Sequence, residues 1–262
     1  MKKISSKDNS IVKEAASLNE KKYRDSLGLY LIEGPNLVRE YIEFGGRPRF
    51  IFLKAGASEE ATRIAESSEE LTAVYVLSSD AFMKLSSGPS PQGIVAAAEK
   101  SNETAASFLA KVKDKNILVL DRLQDPGNVG TLIRNSEAFG FGGVVMIKGS
   151  ADPYQPKCVR AAAGSIFRHP ILFCKDGDEA ISLLKAADKT VYSACMNGEV
   201  TITKADLRKN TAIVIGNEGN GISDDILSSS IGLSIPMEGH TESLNAAVAG
   251  TIIMYESKRQ RE

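Results

Sequence analysis

An α/β protein with a mainly parallel sheet, preceded by a smaller α/β unit, is what the sequence predicts. Three observations carry that reading. Short apolar runs recur through the second half with helical stretches between them, the pattern of a parallel sheet covered on both faces. The first hundred residues repeat the alternation on a smaller scale. A stretch rich in Ser, Asn, Glu and Thr, Lys100 to Ala106, stands between the two and reads as a linker. The expected domains are therefore residues 1–103 and 104–262. At 262 residues, 42% hydrophobic and 25% charged, the chain has globular composition, which excludes collagen-like, coiled-coil and wholly disordered architectures.

In the first unit, Ile11 to Asn19 has helical spacing and Leu29 to Ile32 reads as a short buried strand. Pro35 opens a helix that Gly45-Gly46 stops. Strands follow at Arg49 to Leu53, Val74 to Leu77 and Gly93 to Ala98, with helices at Glu59 to Glu66 and Asp80 to Leu85. The second unit opens on Asn116 to Asp121, an apolar run suited to a strand buried on both faces. Comparable runs lie at Gly143 to Ile147, Val191 to Cys195, Ala212 to Ile215 and Leu233 to Ile235. Helical stretches cover Val129 to Phe139, Asp178 to Ala187 and Ser243 to Glu256.

Net charge is -1, from 32 Lys and Arg against 33 Asp and Glu. The balance is uneven along the chain: residues 1–54 hold 11 cations and 7 anions, residues 55–103 hold 3 and 8. The first fifty residues are thus the electrostatic footprint for an anionic partner. Cys158, Cys174 and Cys195 form no CxxC pair, and His169 and His240 are too few for a histidine-rich metal site. No metal is expected. No apolar stretch is long enough for a spanning helix or a signal h-region, so a cytoplasmic protein without a membrane partner is expected.

In parallel sheets ligands bind beyond the carboxyl ends of the strands. After the first strand of the second unit comes Asp125-Pro-Gly-Asn128, a turn in which Asn128 can cap a helix beginning at Val129, with Arg134 six residues on. After the fourth strand comes Gly216-Asn-Glu-Gly-Asn-Gly-Ile-Ser223. It has the outline of a phosphate loop, but Ile222 holds the lysine position, which excludes a nucleotide triphosphatase. Gly140-Phe-Gly-Gly-Val-Val145 fails as a dinucleotide fingerprint, since valine replaces the third glycine and a strand follows. A glycine loop with one carboxylate, Glu218, suits a ligand gripped by backbone and carrying no phosphate. After the last strand, Ser243 reads as a helix cap with Leu244 and Asn245 in the first turn. Ala247, Gly250 and Thr251 then form a face that permits close packing.

Together and in this order, three segments resemble the motifs of the SpoU (TrmH-like) branch of the SPOUT RNA methyltransferases. They are Asn128-Val-Gly-Thr-Leu-Ile-Arg134, Ile215-Gly-Asn-Glu-Gly-Asn-Gly221, and Ile235-Pro-Met237 through Ser243-Leu-Asn245. Val159 to Phe167 is similar to the family's segment after its second strand. Residues 1–103, with Leu31-Ile-Glu33-Gly34 before a helix, resemble the family's ribosomal protein L30e-like substrate-binding domain. The third motif continues Ala246-Ala247 where relatives often carry Val-Ser.

The resemblance implies a SPOUT domain with a deep trefoil knot, which no pattern argument would propose. It implies S-adenosyl-L-methionine bound through Gly216, Ile235 and Leu244, with the loop Ala194 to Asn197 completing the wall. The implied reaction is methyl transfer to a ribose 2′-hydroxyl of RNA, ribosomal RNA favoured over tRNA. By the same resemblance Arg134 is the base or the group that orients the ribose. Orientation is favoured, because a guanidinium keeps its proton. Asn128, Glu218, Ser243 and Asn245 are carried over as the polar set that positions Arg134 and the ribose. Lys21, Lys22, Arg24 and Arg160 are the expected RNA contacts, and a homodimer through the knot domain is implied. The rival readings are a tRNA 2′-O-methyltransferase, a base methyltransferase and a non-catalytic RNA-binding protein on the same fold. A small-molecule methyltransferase would need neither the basic segment nor the first domain.

Overall fold

The computed structural model describes residues 1–86, 88, 90–239 and 243–262. In chain order the first stretch forms β1 (Lys2–Ile4), α1 (Ser10–Ser17), α2 (Lys21–Leu27), β2 (Leu29–Glu33), α3 (Pro35–Glu43), β3 (Phe50–Lys54), α4 (Glu59–Ser67), β4 (Ala73–Leu77), α5 (Ser79–Met83) and β5 (Ile94–Glu99). There follow α6 (Ala105–Val112), β6 (Ile117–Leu120), α7 (Pro126–Ala138), β7 (Gly143–Ile147), α8 (Pro156–Ala162), α9 (Ser165–Arg168) and β8 (Ile171–Cys174). The chain ends with α10 (Gly177–Ala186), β9 (Thr190–Ala194), β10 (Val200–Thr201), β11 (Thr211–Ile215), α11 (Asp224–Leu227), β12 (Ile231–Ser234) and α12 (Ala246–Arg259). Two compact units result: Met1–Lys100 with Tyr154–Arg168, and Ser101–Pro153 with His169–Glu262.

The first unit is a five-stranded mixed sheet in the order β1-β4-β3-β5-β2. Phe50, Phe52, Leu31, Val95 and Ala97 point from it into a core shared with Val12, Leu18, Leu77 and Phe82. β1 was not expected. Its two exposed lysines make it a protected edge, paired in parallel with β4. The segment Tyr154–Arg168, distant in sequence, belongs to this unit. Tyr154 is buried with its ring 4.8 Å from that of Tyr30, Phe167 meets Tyr41 edge-on at 5.2 Å, and Arg168 pairs with Glu40 at 2.6 Å.

The second unit is built on a seven-stranded, wholly parallel sheet, ordered β10-β12-β9-β11-β6-β7-β8. Its central strands β11, β6 and β7 are buried at every position, as the unbroken apolar runs predict. One face of the sheet packs on α6 and α10 through Phe108, Val112, Ala180 and Leu184. Against β11 and α7 lies α12: a Cβ on Gly250 would fall 2.5 Å from Leu132 Cδ2 and 3.3 Å from Ile215 Cγ1. The small-residue face of α12 therefore does the close packing that its composition permits. Asn135 Nδ2 donates to Thr251 Oγ1 at 2.7 Å across the same seam.

Three local expectations are corrected. The stretch read as linker is partly helix: Thr104 caps α6, and its side chain and that of Ser107 exchange hydrogen bonds with each other's backbone. The polar residues there are a capping box, which composition alone does not separate from a linker. Helix α7 starts at Pro126, three residues before the expected Val129, and its cap is Asp125, which accepts from Asn128 N at 2.9 Å. Asn245, not Ser243, caps α12, accepting from Ala247 N and Val248 N at 2.9 and 3.2 Å. Both shifts release a side chain for other work.

Candidate active site

The loops after β9, β11 and β12, all at the carboxyl edge of the parallel sheet, enclose a cavity of about 690 Å³. That volume suits a nucleoside-sized ligand. Its wall includes Ala194 to Met196, Ile215 to Glu218, Ile235 and Met237, and Ser243 to Ala246. All three residues expected to hold a cofactor, Gly216, Ile235 and Leu244, line it, as do Glu218, Ser243 and Asn245. Among the described lining residues there is no Lys, Arg or His. Such a wall does not balance phosphate charge and fits a ligand held by backbone and apolar contact. His240 lies outside the described residues.

Close backbone approach is built into the wall. A Cβ on Gly216 would come 2.6 Å from the Gly221 carbonyl carbon and from Ile222 Cγ1. The loop closes on itself through Asn217: its backbone exchanges hydrogen bonds with Gly221, its Oδ1 accepts from Gly219 N and Asn220 N at 2.9 Å, and its Nδ2 donates to Arg122 O at 2.8 Å. Asn217 had not been singled out. The signal was there, an Asn followed by Glu-Gly-Asn-Gly, a sequence suited to an Asx turn.

Beside the cavity, three motifs join. Glu218 Oε1 accepts from Asn128 Nδ2 at 3.0 Å and from Asp125 N at 3.1 Å, while its Oε2 accepts from Gln124 N at 3.1 Å. Asn128 Oδ1 in turn accepts from Asn245 Nδ2 at 3.1 Å. Partial burial would raise the Glu218 pKa. The bonds from Asn128 and from backbone N–H groups outweigh that and hold it below the ordinary glutamate range. It is an ionised clamp, not a reserve base.

Arg134 is not part of this chain. It is exposed on α7 and, among the described residues, makes no hydrogen bond or ion pair. The reason is angular: six residues of helix carry it about 240° round the axis from Asn128. The structure thus brings Asn128, Glu218 and Asn245 together and leaves Arg134 outside their hydrogen-bond chain.

The basic candidates also divide. Lys21 and Lys22 are exposed in the first turn of α2, and Arg160 is exposed on α8. Arg24 is only 3% exposed, and its guanidinium donates to Leu18 O and Asn19 O at 2.8 and 2.9 Å. It satisfies carbonyls left open where α1 ends, so it is withdrawn as an RNA contact. No group of acidic, His and Cys residues able to hold a metal occurs among the described residues, nor does a helix long and apolar enough to cross a membrane.

Fold and site thus define a class: an α/β protein with a parallel sheet, a backbone-walled pocket without cations among its described lining residues, and a polar cluster at the pocket's mouth. The SpoU rRNA Methylase family model matches residues 115–255, and the MRM3-like substrate binding domain model matches residues 9–96. The 23S rRNA (guanosine(2553)-2'-O)-methyltransferase RlmP of Bacillus subtilis (strain 168) is 34% identical over 97% of this chain and 98% of its own. A 23S rRNA (uridine(2479)-2'-O)-methyltransferase of Streptomyces viridochromogenes is 28% identical over 99% of this chain and 93% of its own. Among solved structures, an AdoMet-bound rRNA methyltransferase from Sinorhizobium meliloti superposes with a TM-score of 0.88 at 26% identity, covering 98% of this chain and 97% of that one. The chain belongs to the SpoU rRNA methylase family.

Proposed function

We propose that the protein transfers a methyl group from S-adenosyl-L-methionine to a ribose 2′-hydroxyl of ribosomal RNA. The observation that carries this is the hydrogen-bond chain Glu218–Asn128–Asn245 beside the phosphate-free pocket. It unites all three motifs at the place where cofactor and ribose must meet. Relatives named for 23S rRNA 2′-O-methylation and AdoMet-bound neighbours of the same fold support the substrate and the donor.

The pocket residues fit the donor. Gly216, Ile235 and Leu244 would hold it, through a wall whose glycine admits a ligand against backbone. When bound, it supplies an electrophilic methyl on a sulfonium. The chain's residues have the rest to do. Ionised Glu218 fixes the Asn128 amide through its Nδ2, and Asn245 locks the other end to the first turn of α12. Rigid placement of this kind contributes most where oxygen and carbon must meet in line. Ser243, on the pocket wall, is set to bond the ribose. Arg134, exposed and unpaired among the described residues, is set to hold the substrate's anionic groups and the negative charge that builds on the 2′-oxygen as its proton passes to solvent water during attack.

In this reading residues 1–103 recognise the RNA through Lys21 and Lys22, joined by Arg160 from further along the chain, and 104–262 carry the chemistry around a trefoil knot. The knot and a homodimer through it are part of this proposal, suggested by the family resemblance. Support for the dimer comes from α12, where the apolar Val248 and Tyr255 are 48% and 57% exposed and share one side of the helix. A cytoplasmic enzyme free of metal and membrane completes the reading.

The test is to incubate the protein with methyl-labelled S-adenosylmethionine and RNA from cells lacking the gene, digest the RNA and identify the labelled nucleoside. A ribose-methylated nucleoside from ribosomal RNA is expected. Label on a base overturns the chemistry, and label on tRNA overturns the substrate.

A further inference from the structure

Two cations, the half-buried Arg122 and the exposed Lys148, follow the carboxyl ends of the adjacent strands β6 and β7, just past the strands whose loops form the pocket. The sheet order β12-β9-β11-β6-β7 puts the pocket on the first three strand ends and these residues on the next two. The two loops meet there: Leu120 pairs with Met146 where the strands end, and a Cβ on Gly149, the residue after Lys148, would lie 3.5 Å from Arg122 Cβ.

Arg122 is built into place. Its backbone is left-handed, with φ 56°, a conformation side-chain-bearing residues seldom adopt. Its guanidinium is forked onto Asp121, Nε to Oδ1 at 3.0 Å and Nη2 to Oδ2 at 3.4 Å. Asp121 is itself fully buried and accepts from Ser223 N at 2.7 Å. The neighbouring loop is shaped around the arginine stem: Gly149 has φ +105°, and a Cβ there would lie 3.1 Å from Arg122 Cγ. Its side chain still keeps 40% of its surface exposed. Lys148 is exposed and, among the described residues, has no ion-pair partner. Lys175, one strand further on, is answered by Asp176 at 3.6 Å, so the row ends at two.

We propose that Arg122 and Lys148 form a phosphate track that holds the RNA strand flanking the methylated nucleotide. This rests on the reading of the protein as an RNA methyltransferase. A forked arginine held by a buried carboxylate presents its remaining N–H groups in fixed directions, the arrangement that suits a phosphate. Its placement ties it to the site. Arg122 O anchors Asn217 of the pocket loop, and the amides of Gln124 and Asp125, two and three residues on, bind Glu218. A phosphate on Arg122 would thus be in register with the ribose held beside Asn128.

The rival account is that Arg122 only neutralises Asp121. Filter binding of protein-free 23S rRNA transcript across a salt series separates them, with Lys148→Gln, Arg122→Lys and the double variant Asp121→Asn/Arg122→Gln, which leaves no buried unpaired charge. Each lost phosphate contact should flatten the slope of log affinity against log salt by about one. Lys148→Gln and the double variant should each do so, while Arg122→Lys keeps the slope and weakens binding through loss of the fork. Calorimetry should find cofactor affinity unchanged in all three. Wild-type slopes in both Lys148→Gln and the double variant overturn the proposal alone, as does parallel loss of cofactor and RNA binding. Wild-type protein with no salt-dependent RNA binding overturns the proposal and the reading beneath it.

Discussion

Asn245 Nδ2 donates to Asn128 Oδ1 over 3.1 Å, joining residues 117 positions apart. The two amides have different neighbours. Asn245 uses its Oδ1 to cap α12, and Asn128 uses its Nδ2 to bond Glu218. Each side chain therefore needs a donor and an acceptor at once, which an aspartate in either place does not supply at neutral pH.

That requirement separates capping from relay. Asn245→Ala should lose both, with about 1 kcal/mol of stability from the cap and a thermal midpoint lower by about 2–4 °C. Asn245→Asp keeps the cap but sets a carboxylate against Asn128 Oδ1. It should melt near wild type and methylate as poorly as the alanine variant. Equal activity of wild type and Asn245→Asp in single-turnover assays would remove the relay from the mechanism.

Arg134→Ala should abolish methyl transfer while calorimetric affinity for S-adenosylmethionine stays nearly the same, because Arg134 neither lines the pocket nor bonds its wall. Loss of cofactor binding in this variant would place the arginine in the wrong role.

Gly216→Val should do the reverse. With Gly221 backbone 2.6 Å from the first added carbon, the loop must shift, and cofactor affinity should fall by at least about tenfold, equivalent to about 1.4 kcal/mol. Because the added carbon also meets the buried Ile222, a thermal melt of the variant checks that the fold survives. Unchanged affinity would mean that the cofactor does not approach this loop.

His169 gives the fold a pH signature. Burial pushes its pKa down to about 4; Glu137 opposes and Lys115 adds to the effect. Its ring bonds Ser136 Oγ at 2.9 Å. Between pH 6.5 and 4 the unfolded chain binds a proton there that the folded chain does not, so stability falls as pH drops through that window. It is full above 6.5 and levels off below 4, with a loss on the order of 3 kcal/mol. Urea midpoints of His169→Gln should decline less steeply than wild type across that range; parallel declines would contradict the assignment.

How much was legible beforehand follows from what kind of signal each feature leaves. The parallel strands β6, β7 and β11 were plain, because full burial on both faces writes an unbroken apolar run. The pocket residues Gly216, Ile235 and Leu244 were found through motif order, and they do meet in space. Arg24 was misread because a cation in a basic segment looks the same whether it faces solvent or open carbonyls. The docking of Tyr154–Arg168 with the first unit left no local trace at all, since only long-range packing of Tyr154 and Phe167 records it. Caps were displaced by two or three residues for a similar reason: Asp125, Asn128, Ser243 and Asn245 are all competent cap types, and only the tertiary network decides which of them serves.

The central claim, ribose methylation of ribosomal RNA, is tested most directly by alkaline-hydrolysis profiling of 23S rRNA. The RNA would come from cells lacking the gene, complemented with wild type or with Arg134→Ala. A methylated 2′-oxygen cannot attack its own phosphodiester, so one position should resist cleavage with wild type and break with the variant or with no gene. Identical profiles in all three strains, in RNA that the wild-type protein labels on a base, would contradict the account.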